Sequence, residues 1–334
     1  CASLACSAGM TRHARFITCA GLHAPQFRLQ RKAMNVLPIN KSRSTAATIT
    51  GDDRYMSALP FENNFDSRFY FASSMHEEAM SRLLYLAEDG NFMFGMLSGA
   101  CGSGKSYLRN LLHKRLDKQH YLCVAIESPL LDLDGIMLEV ISQARGIRLS
   151  TTELPDRYSR LAEFKKCLHE EIAATGKHMI MSIDEAHLLD NVTLEGLRLL
   201  SNITAPLQNL FTILLIGQPE LEQKLNADPA LEQRTGLRIR LAAMDSEASD
   251  LYVKHRMQLS GIADRLDLSP QMYASLFMFT GGIPRRINTL LKLSIEFARI
   301  NNRNIDDAVV AAVIGDQAGK NDIIPHTHQG IRHD

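Results

Sequence analysis

The sequence predicts an α/β fold in which helices sandwich a parallel β-sheet, followed by a small helical domain. Three observations support this prediction. Short, almost continuously apolar segments alternate with helical patterns between residues 92 and 242, as in parallel sheets that are covered on both faces. A glycine-rich turn joins the first apolar segment to a helix. From residue 245 onward, only helical patterns occur.

Charge and pattern divide the chain into a basic extension and a globular body. Residues 1–51 contain seven basic residues and no acidic ones, which leaves 30 basic against 37 acidic residues in the body, a net charge of −7. We expect the extension to be disordered, with an organelle transit peptide or translation ahead of a start at Met10 or Met34 as alternatives. The body is predicted to hold an α/β domain over 52–244, a helical domain over 245–316 and a tail over 317–334.

Cysteine spacing and hydropathy indicate the compartment. The six cysteines show no CxxC pairing and no histidine at zinc-ligand spacing, so we interpret them as the reduced thiols of a cytoplasmic protein. No apolar run reaches the about 18 residues of a membrane-spanning helix. The sequence therefore predicts a soluble chain that would reach the inner membrane only through a partner.

Hydrophobic patterns place the individual elements. A helix is predicted over 74–88, opened by a capping box of Ser74 and Glu77. A second helix is predicted over 105–117, directly after the glycine-rich turn. The strands are predicted at 92–98, 120–126, 178–183, 211–216 and 237–242.

A phosphate-binding loop is predicted between the first strand and its helix. The string GACGSGKS at 99–106 matches GxxxxGK[ST] in the strand-to-helix context that this motif requires. Glycines let backbone N–H groups converge on phosphate oxygens, and the helix N-terminus adds a favourable dipole. Lys105 is expected to neutralise the β- and γ-phosphates, and Ser106 to give a hydroxyl to Mg²⁺. The residues expected to contact ATP here are Gly99, Ala100, Cys101, Gly102, Ser103, Gly104, Lys105, Ser106 and Tyr107.

An acidic pair follows the third strand. Asp184 at the carboxyl edge of the sheet, beside the phosphate loop, is expected to hold the Mg²⁺ shell. Glu185 is expected to orient and polarise the attacking water, which indicates hydrolysis rather than binding alone. The letters DEAH at 184–187 also occur in RNA helicases, but such a helicase needs a second α/β lobe where this sequence predicts helices. We expect His187 to have no catalytic role and to open the next helix.

Two later stretches carry further candidate residues. LLIGQPEL at 214–221 is a strand that runs into a turn, with Gln218 at its tip, where it could sense a γ-phosphate. GGIPRRIN at 281–288 places Arg285 and Arg286 in the first turn of a helix. Arginines are unfavourable there for the dipole of their own helix, so we expect a bound phosphate nearby.

The order of these motifs resembles the ExeA-type (general secretion pathway protein A) branch of the AAA+ ATPases. The resemblance covers about residues 58–315 and includes LPFENNFDSRFYFASSMHEEAMSRLLYL, LRLLSN and LEQRTGLRIRL. It implies an AAA+ P-loop fold with a helical lid, an oligomer that hydrolyses ATP with Mg²⁺, Gln218 as sensor 1 and Arg285 as sensor 2. It also implies an arginine finger supplied to the neighbouring subunit, with Arg234 as first choice and Arg238 as second.

The partner stays open between a secretion component, which we prefer, and DNA. Transposition regulators, which assemble on DNA with ATP, have a similar ATPase core. The acidic body disfavours DNA, and a basic cluster on one predicted helix favours it, although such clusters are usually solvated faces. The cluster consists of Arg157, Arg160, Lys165 and Lys166. The intact Lys105, Asp184 and Glu185 disfavour a third alternative, a scaffold without turnover.

Overall fold

The structure is a computed structural model that describes residues 60–63, 67–128, 130–205, 208–261, 263 and 266–321. The basic extension predicted over 1–51 lies outside the described residues, as does the tail beyond residue 321. The strands are β1 (Phe94–Gly99), β2 (Tyr121–Ile126), β3 (His178–Ile183), β4 (Thr204–Ala205), β5 (Gln208–Asn209), β6 (Phe211–Gly217), β7 (Thr235–Leu241), β8 (Leu266–Asp267) and β9 (Ile305–Asp306). The helices are α1 (Ser74–Asp89), α2 (Lys105–Arg115), α3 (Leu133–Arg145), α4 (Arg157–Cys167), α5 (Asn191–Leu200), α6 (Glu220–Ala227), α7 (Pro229–Arg234), α8 (Ser246–Leu259), α9 (Pro270–Thr280), α10 (Pro284–Ile300) and α11 (Asp307–Asn321).

Five strands form a parallel sheet in the order β2-β3-β6-β1-β7. These are the five predicted strands, so the predicted α/β class with a parallel sheet is confirmed. Strand β6 lies between β1 and β3, and Asp184 is therefore not on the strand next to the phosphate loop. The tip of β6, which carries Gln218, lies between them instead.

Helices cover both faces of the sheet. Successive side chains of a strand point to opposite faces, and in β6 both sets are buried and, apart from Thr212, apolar. Ile213 and Leu215 pack in the core beneath α3, α4 and α5, whereas Leu214 and Ile216 pack in the core beneath α1 and α2. The sandwiched sheet follows from strands that have no polar face.

The N-cap of helix α1 lies one residue before the predicted cap. Its N-cap is Ser73, whose hydroxyl accepts a hydrogen bond from the backbone N–H of His76. The predicted capping box of Ser74 and Glu77 is therefore wrong, because Ser74 is already the first helical residue. His76 occupies the third helical position, and its Nδ1 lies 2.7 Å from the Ser73 hydroxyl.

Helices α8 to α11 pack around an apolar cluster of their own, which includes Tyr252, Leu276, Leu291 and Val309. Phe61 from the start of the described chain also packs in this cluster. The short parallel pair β8–β9 was not predicted, and α11 continues past the boundary predicted at residue 316. The division into a nucleotide-binding domain over 52–244 and a lid over 245–316 stays a prediction.

Candidate active site

The phosphate loop lies between the end of β1 and the start of α2. Gly104 precedes α2 with a φ of 104° and offers no side-chain cap, so the first N–H groups of the helix are free of a capping side chain. Gly102 has a φ of 81°, a conformation that favours glycine. A helix start of this kind suits an anion, and the loop therefore fits the phosphates of ATP.

Lys105 is buried at the base of the loop. Its Nζ donates hydrogen bonds to the carbonyl oxygens of Gly99 at 2.8 Å and Ala100 at 3.0 Å. Burial lowers the pKa of Lys105, and the nearby carboxylate of Glu185 opposes this shift. The lysine is thus a desolvated cation, and a bound phosphate would interact with it more strongly than in water.

The acidic pair lies at the carboxyl edge of the sheet. Asp184 is buried. Its backbone is held by the sheet, because its N–H donates to the carbonyl oxygen of Ile126 in β2. Glu185 has a φ of 50°, which is uncommon for a residue with a side chain and is a form of strain often found at functional sites. Its side chain is 42% exposed, so water can reach it.

Mg²⁺ prefers oxygen ligands and usually keeps water and substrate phosphates in its shell. Ser106 and Asp184 supply one hydroxyl and one carboxylate, which fit such a partly solvated ion. Among the described residues there is no cluster of three or more His, Cys, Asp or Glu side chains that could hold a metal ion by itself. The residues present therefore suit a metal that is held jointly with a nucleotide.

Arg109 is a buried cation in this site that sequence reasoning missed. Its Nη2 donates to the carboxylate of Glu127 at 2.6 Å, and its Nη1 lies 3.8 Å from Oδ2 of Asp184. Its Nε and Nη1 find no hydrogen-bond partner within the described part of the chain. The sequence feature that could have indicated Arg109 is its position one helical turn after Lys105, which places both residues on the same face of α2. Arg109 is positioned to balance the charge of Asp184.

His187 and Gln218 meet at the same edge. His187 lies in a short 3₁₀ turn, Ala186–Leu188, rather than opening α5, which begins at Asn191 after an Asp190 cap. Its Nε2 lies 3.2 Å from Nε2 of Gln218, and its Nδ1 lies 3.4 Å from Oε2 of Glu185. The side chain for which no catalytic role was predicted thus joins two predicted catalytic residues.

Of the two predicted lid arginines, Arg285 contacts the phosphate loop and Arg286 does not. The Arg285 backbone N–H donates to the carbonyl oxygen of Gly102, and its Nη1 lies 3.8 Å from the Cys101 thiol. Arg286 turns away and donates to the carbonyl oxygen of Phe279 at 2.8 Å. The structure therefore brings the predicted sensor Arg285 to the loop, and leaves Arg286 in the lid.

One cavity joins the phosphate loop, Glu185 and the lid. Its walls come from the phosphate loop, the segment before α1, the end of β3 and the lid, and it includes Cys101, Lys105, Ser106, Tyr107, Glu185 and Arg285. Next to the loop, Tyr70 and Tyr107 stack with ring centres 5.4 Å apart. These apolar and aromatic walls suit a planar base beside the phosphate-binding end.

Arg256 in α8 holds in place the segment before α1, which forms one wall of the cavity. Its guanidinium donates to the carbonyl oxygens of Pro60 and Glu62, and it lies 4.8 Å from the ring centre of Phe69. The same guanidinium donates to the hydroxyl of Tyr252. A buried arginine that binds backbone carbonyls had no sequence signal, because its partners lie almost two hundred residues away.

The predicted arginine-finger residues lie outside this cavity. Arg234, at the end of α7, donates to Ser201 and Asn202 at the end of α5, across 2.9 Å and 2.8 Å. Arg238 in β7 donates to Asn226 and lies 3.9 Å from the carboxylate of Glu232. Within one chain, neither is brought to the phosphate loop.

Half of the basic cluster predicted as a possible DNA contact is paired with an acidic side chain. Arg157 and Arg160 both bind the carboxylate of Asp134, and Arg160 also donates to the carbonyl oxygen of Leu154. Lys165 and Lys166 are exposed at the end of α4. Half of the cluster therefore braces α4 against α3.

Comparison with known proteins agrees with the fold. Residues 90–225 match the model of an AAA domain. The chain is 31% identical over 242 residues to general secretion pathway protein A of Aeromonas hydrophila. The aligned region covers 70% of this chain and 42% of that protein. The chain thus spans less than half the length of this relative.

Solved structures show the same fold at low sequence identity. The Aeropyrum pernix ORC2 protein, in its ADPNP–ADP complexes, superposes with a TM-score of 0.59 at 16% identity, over 81% of this chain and 75% of that one. Cdc6p of Pyrobaculum aerophilum superposes with a TM-score of 0.56 at 20% identity, over 71% of this chain and 67% of that one. No helix within the described ranges has the length and apolar character needed to span a membrane.

Proposed function

Since the chain carries an AAA ATPase domain of the ExeA type, we propose that it hydrolyses ATP with Mg²⁺ as an oligomer and couples turnover to the assembly or remodelling of a protein partner. One observation carries this proposal. A buried lysine, Lys105, and a water-accessible carboxylate, Glu185, line the same cavity. Such a pair suits hydrolysis, because one binds phosphate and the other accepts a proton from water.

Each residue has a distinct task in this reaction. The uncapped start of α2 and Lys105 bind the phosphates, and Glu185 orients and polarises the attacking water. Gln218 lies between the phosphate loop and β3, where its carboxamide can sense the γ-phosphate. When bound, Mg²⁺ would be held by Ser106 and Asp184 and would neutralise charge on the phosphates.

If Arg234 or Arg238 is the finger, it acts across a subunit interface. Arg234 and Arg238 lie outside the cavity of their own chain, whereas a finger acts on the phosphates of the neighbouring subunit. We prefer a secretion component as the partner because the relative from Aeromonas hydrophila is named for that pathway. Such a partner would place the chain at the cytoplasmic side of the inner membrane.

A DNA transposition regulator is the alternative. Its support from the sequence was the basic face of α4, and two of the four cations on that face now bind Asp134. Lys165 and Lys166 alone offer little for a site that must neutralise several phosphates. The structure therefore gives this alternative less support than the protein partner.

The proposal is tested by steady-state turnover of the full chain over a range of protein concentrations, with Mg²⁺ and with EDTA. We expect Mg²⁺-dependent turnover whose specific rate rises as subunits associate, and no response to duplex DNA. A specific rate that is independent of concentration would contradict the shared site. Turnover that increases with duplex DNA, together with ATP-dependent DNA binding after deletion of residues 1–51, would establish the alternative.

A further inference from the structure

We propose that His187 is a positioning residue that couples the carboxamide of Gln218 to the carboxylate of Glu185. The inference rests on the proposed function, because it assigns a role within the same hydrolytic site. Glu185 follows β3, and Gln218 follows β6, the strand that lies between β3 and the phosphate-loop strand β1. His187 spans the gap between these two strand ends.

The imidazole touches both residues with its two nitrogens. Nδ1 lies 3.4 Å from Oε2 of Glu185, and Nε2 lies 3.2 Å from Nε2 of Gln218. The backbone N–H of Gln218 also points at Nδ1, across 3.5 Å. The side chain of His187 is only 10% exposed, so the ring is enclosed by these groups rather than solvated.

The backbone fixes this arrangement. A Cβ on Gly217 would lie 3.1 Å from the backbone nitrogen of His187, so the close approach of β6 to the 3₁₀ turn suits a glycine. The Leu188 N–H donates to the carbonyl oxygen of Glu185 across 2.9 Å and closes the turn. Glu185 itself adopts a left-handed conformation. Strain of this kind persists where the surroundings demand it, often at functional sites.

The chemistry of imidazole makes the two contacts interdependent. A neutral ring carries one N–H and one lone pair. With the proton on Nδ1, the ring donates to Glu185, and Nε2 accepts from the NH₂ group of Gln218. With the proton on Nε2, the ring needs the carboxamide oxygen of Gln218. Nδ1 then accepts from the backbone N–H of Gln218 and has no proton to donate to Glu185. The orientation of the Gln218 carboxamide therefore selects whether Glu185 is held.

Through this dependence, binding of the γ-phosphate can change the hydrogen bonding of the catalytic carboxylate of Glu185. A phosphate that accepts a hydrogen bond from the Gln218 NH₂ group turns the carboxamide oxygen toward Nε2. One proton then leaves Nδ1 for solvent, and solvent supplies another to Nε2 through the exposed part of the ring, so that the ring stays neutral. Glu185 loses its donor and is released toward the attacking water. Hydrolysis is thereby linked to the presence of the γ-phosphate.

The first test compares two histidines that join the same pair of strands. His178 lies at the opposite end of β3, where its Nε2 is 2.9 Å from the Thr212 hydroxyl of β6. In the released state the Nε2–H of His187 holds the Gln218 carboxamide with its NH₂ group toward the γ-phosphate, and the alanine variant lacks this contact. We therefore expect His187→Ala to lower kcat for ATP by roughly 10-fold to 100-fold without changing KM or the affinity for a fluorescent ATP analogue. His178→Ala should lower the thermal unfolding midpoint but leave kcat of the folded protein unchanged. His187→Gln, whose carboxamide both donates and accepts, should recover most of the lost turnover.

The second test asks whether His187 acts through Gln218. If the two form one unit, the loss in a His187→Ala, Gln218→Ala double variant stays well short of the product of the single losses. Losses that multiply, or a folded His187→Ala variant with wild-type turnover, would overturn the inference while leaving the ATPase intact. If His187→Ala does not fold, His187→Gln with and without Gln218→Ala gives the same comparison. A wild-type chain without turnover would remove the proposed function and this inference together.

Discussion

The backbone N–H of Arg285 donates a hydrogen bond of 3.2 Å to the carbonyl oxygen of Gly102. This bond joins the first turn of α10 in the lid directly to the phosphate loop. The two residues also pack closely, since a Cβ added to Gly102 would lie 2.6 Å from the Arg285 Cβ. The position of the lid and the shape of the loop are therefore linked, and changes on either side should affect ATP.

Removing the Arg285 side chain should weaken ATP binding. A charged hydrogen bond contributes roughly 1.5–3 kcal/mol, so we expect Arg285→Ala to raise the dissociation constant by about 10-fold to 100-fold. Arg286→Ala is the matched control, because the adjacent side chain donates to Phe279 within the lid. Titration with a fluorescent ATP analogue checks the prediction, and an equal loss in both variants would exclude a specific role for Arg285.

Adding a methyl group to the loop should have the same consequence by a steric route. Gly102→Ala places a Cβ against Arg285 at a φ of 81°, so both the loop and the lid must shift. Gly146→Ala, at a φ of 64° with nothing within 4 Å of its Cβ, carries the conformational cost without the clash. We expect both variants to lose stability, on the order of 1 kcal/mol, and only Gly102→Ala to lose ATP affinity. Unaltered ATP affinity in Gly102→Ala would show that the contact tolerates displacement.

Sequence patterns predicted the parts of this site better than their arrangement. The phosphate loop and the acidic pair are local motifs, and their strands are recognisable because both faces are apolar. Strand order depends on long-range packing, so the placement of β6 between β1 and β3 had no signal in the sequence. His187 was assigned no role for the same reason, since its partner Gln218 lies on a different strand. Arg109 was missed because Asp184, whose charge it balances, lies at the end of β3 and far away in the sequence.

Burial of His113 should make stability depend on pH. Burial, with Arg109 as a second cause, lowers the pKa of His113 from 6.5 to about 4. Because the unfolded chain binds more protons in this window, stability should be fully present above pH 6.5 and fall as the pH is lowered toward 4. His76 and His178, whose pKa values are also lowered by burial, act in the same direction.

The contribution of His113 can be isolated by substitution. His113→Gln keeps a group near the Ser182 hydroxyl, to which Nε2 of His113 is bonded at 2.9 Å, but cannot titrate. Urea unfolding midpoints measured from about pH 7.5 to about pH 4.5 should fall less steeply in this variant than in the wild type. Parallel curves for the two proteins would contradict the assignment.

Mixed subunits should reveal the finger. Arg234→Ala should abolish turnover while sparing ATP binding, because a finger acts on transition-state charge in the next subunit. Mixing it with Lys105→Ala should partly restore turnover, since a mixed interface can unite an intact loop with an intact finger. As a control, an Arg234→Ala, Lys105→Ala double variant mixed with Arg234→Ala has no finger and should restore nothing. Failure of the first mixture despite confirmed co-assembly would favour Arg238.

The Glu185→Gln variant tests the hydrolytic role of the carboxylate at the end of β3 most directly. The carboxamide has nearly the same shape as the carboxylate but carries no charge to polarise water, so ATP should still bind with wild-type affinity. Turnover, measured as phosphate release at saturating ATP and Mg²⁺, should fall by at least about 10²-fold. Near wild-type phosphate release by the folded variant would contradict the role of Glu185 and with it the account of hydrolysis at this site.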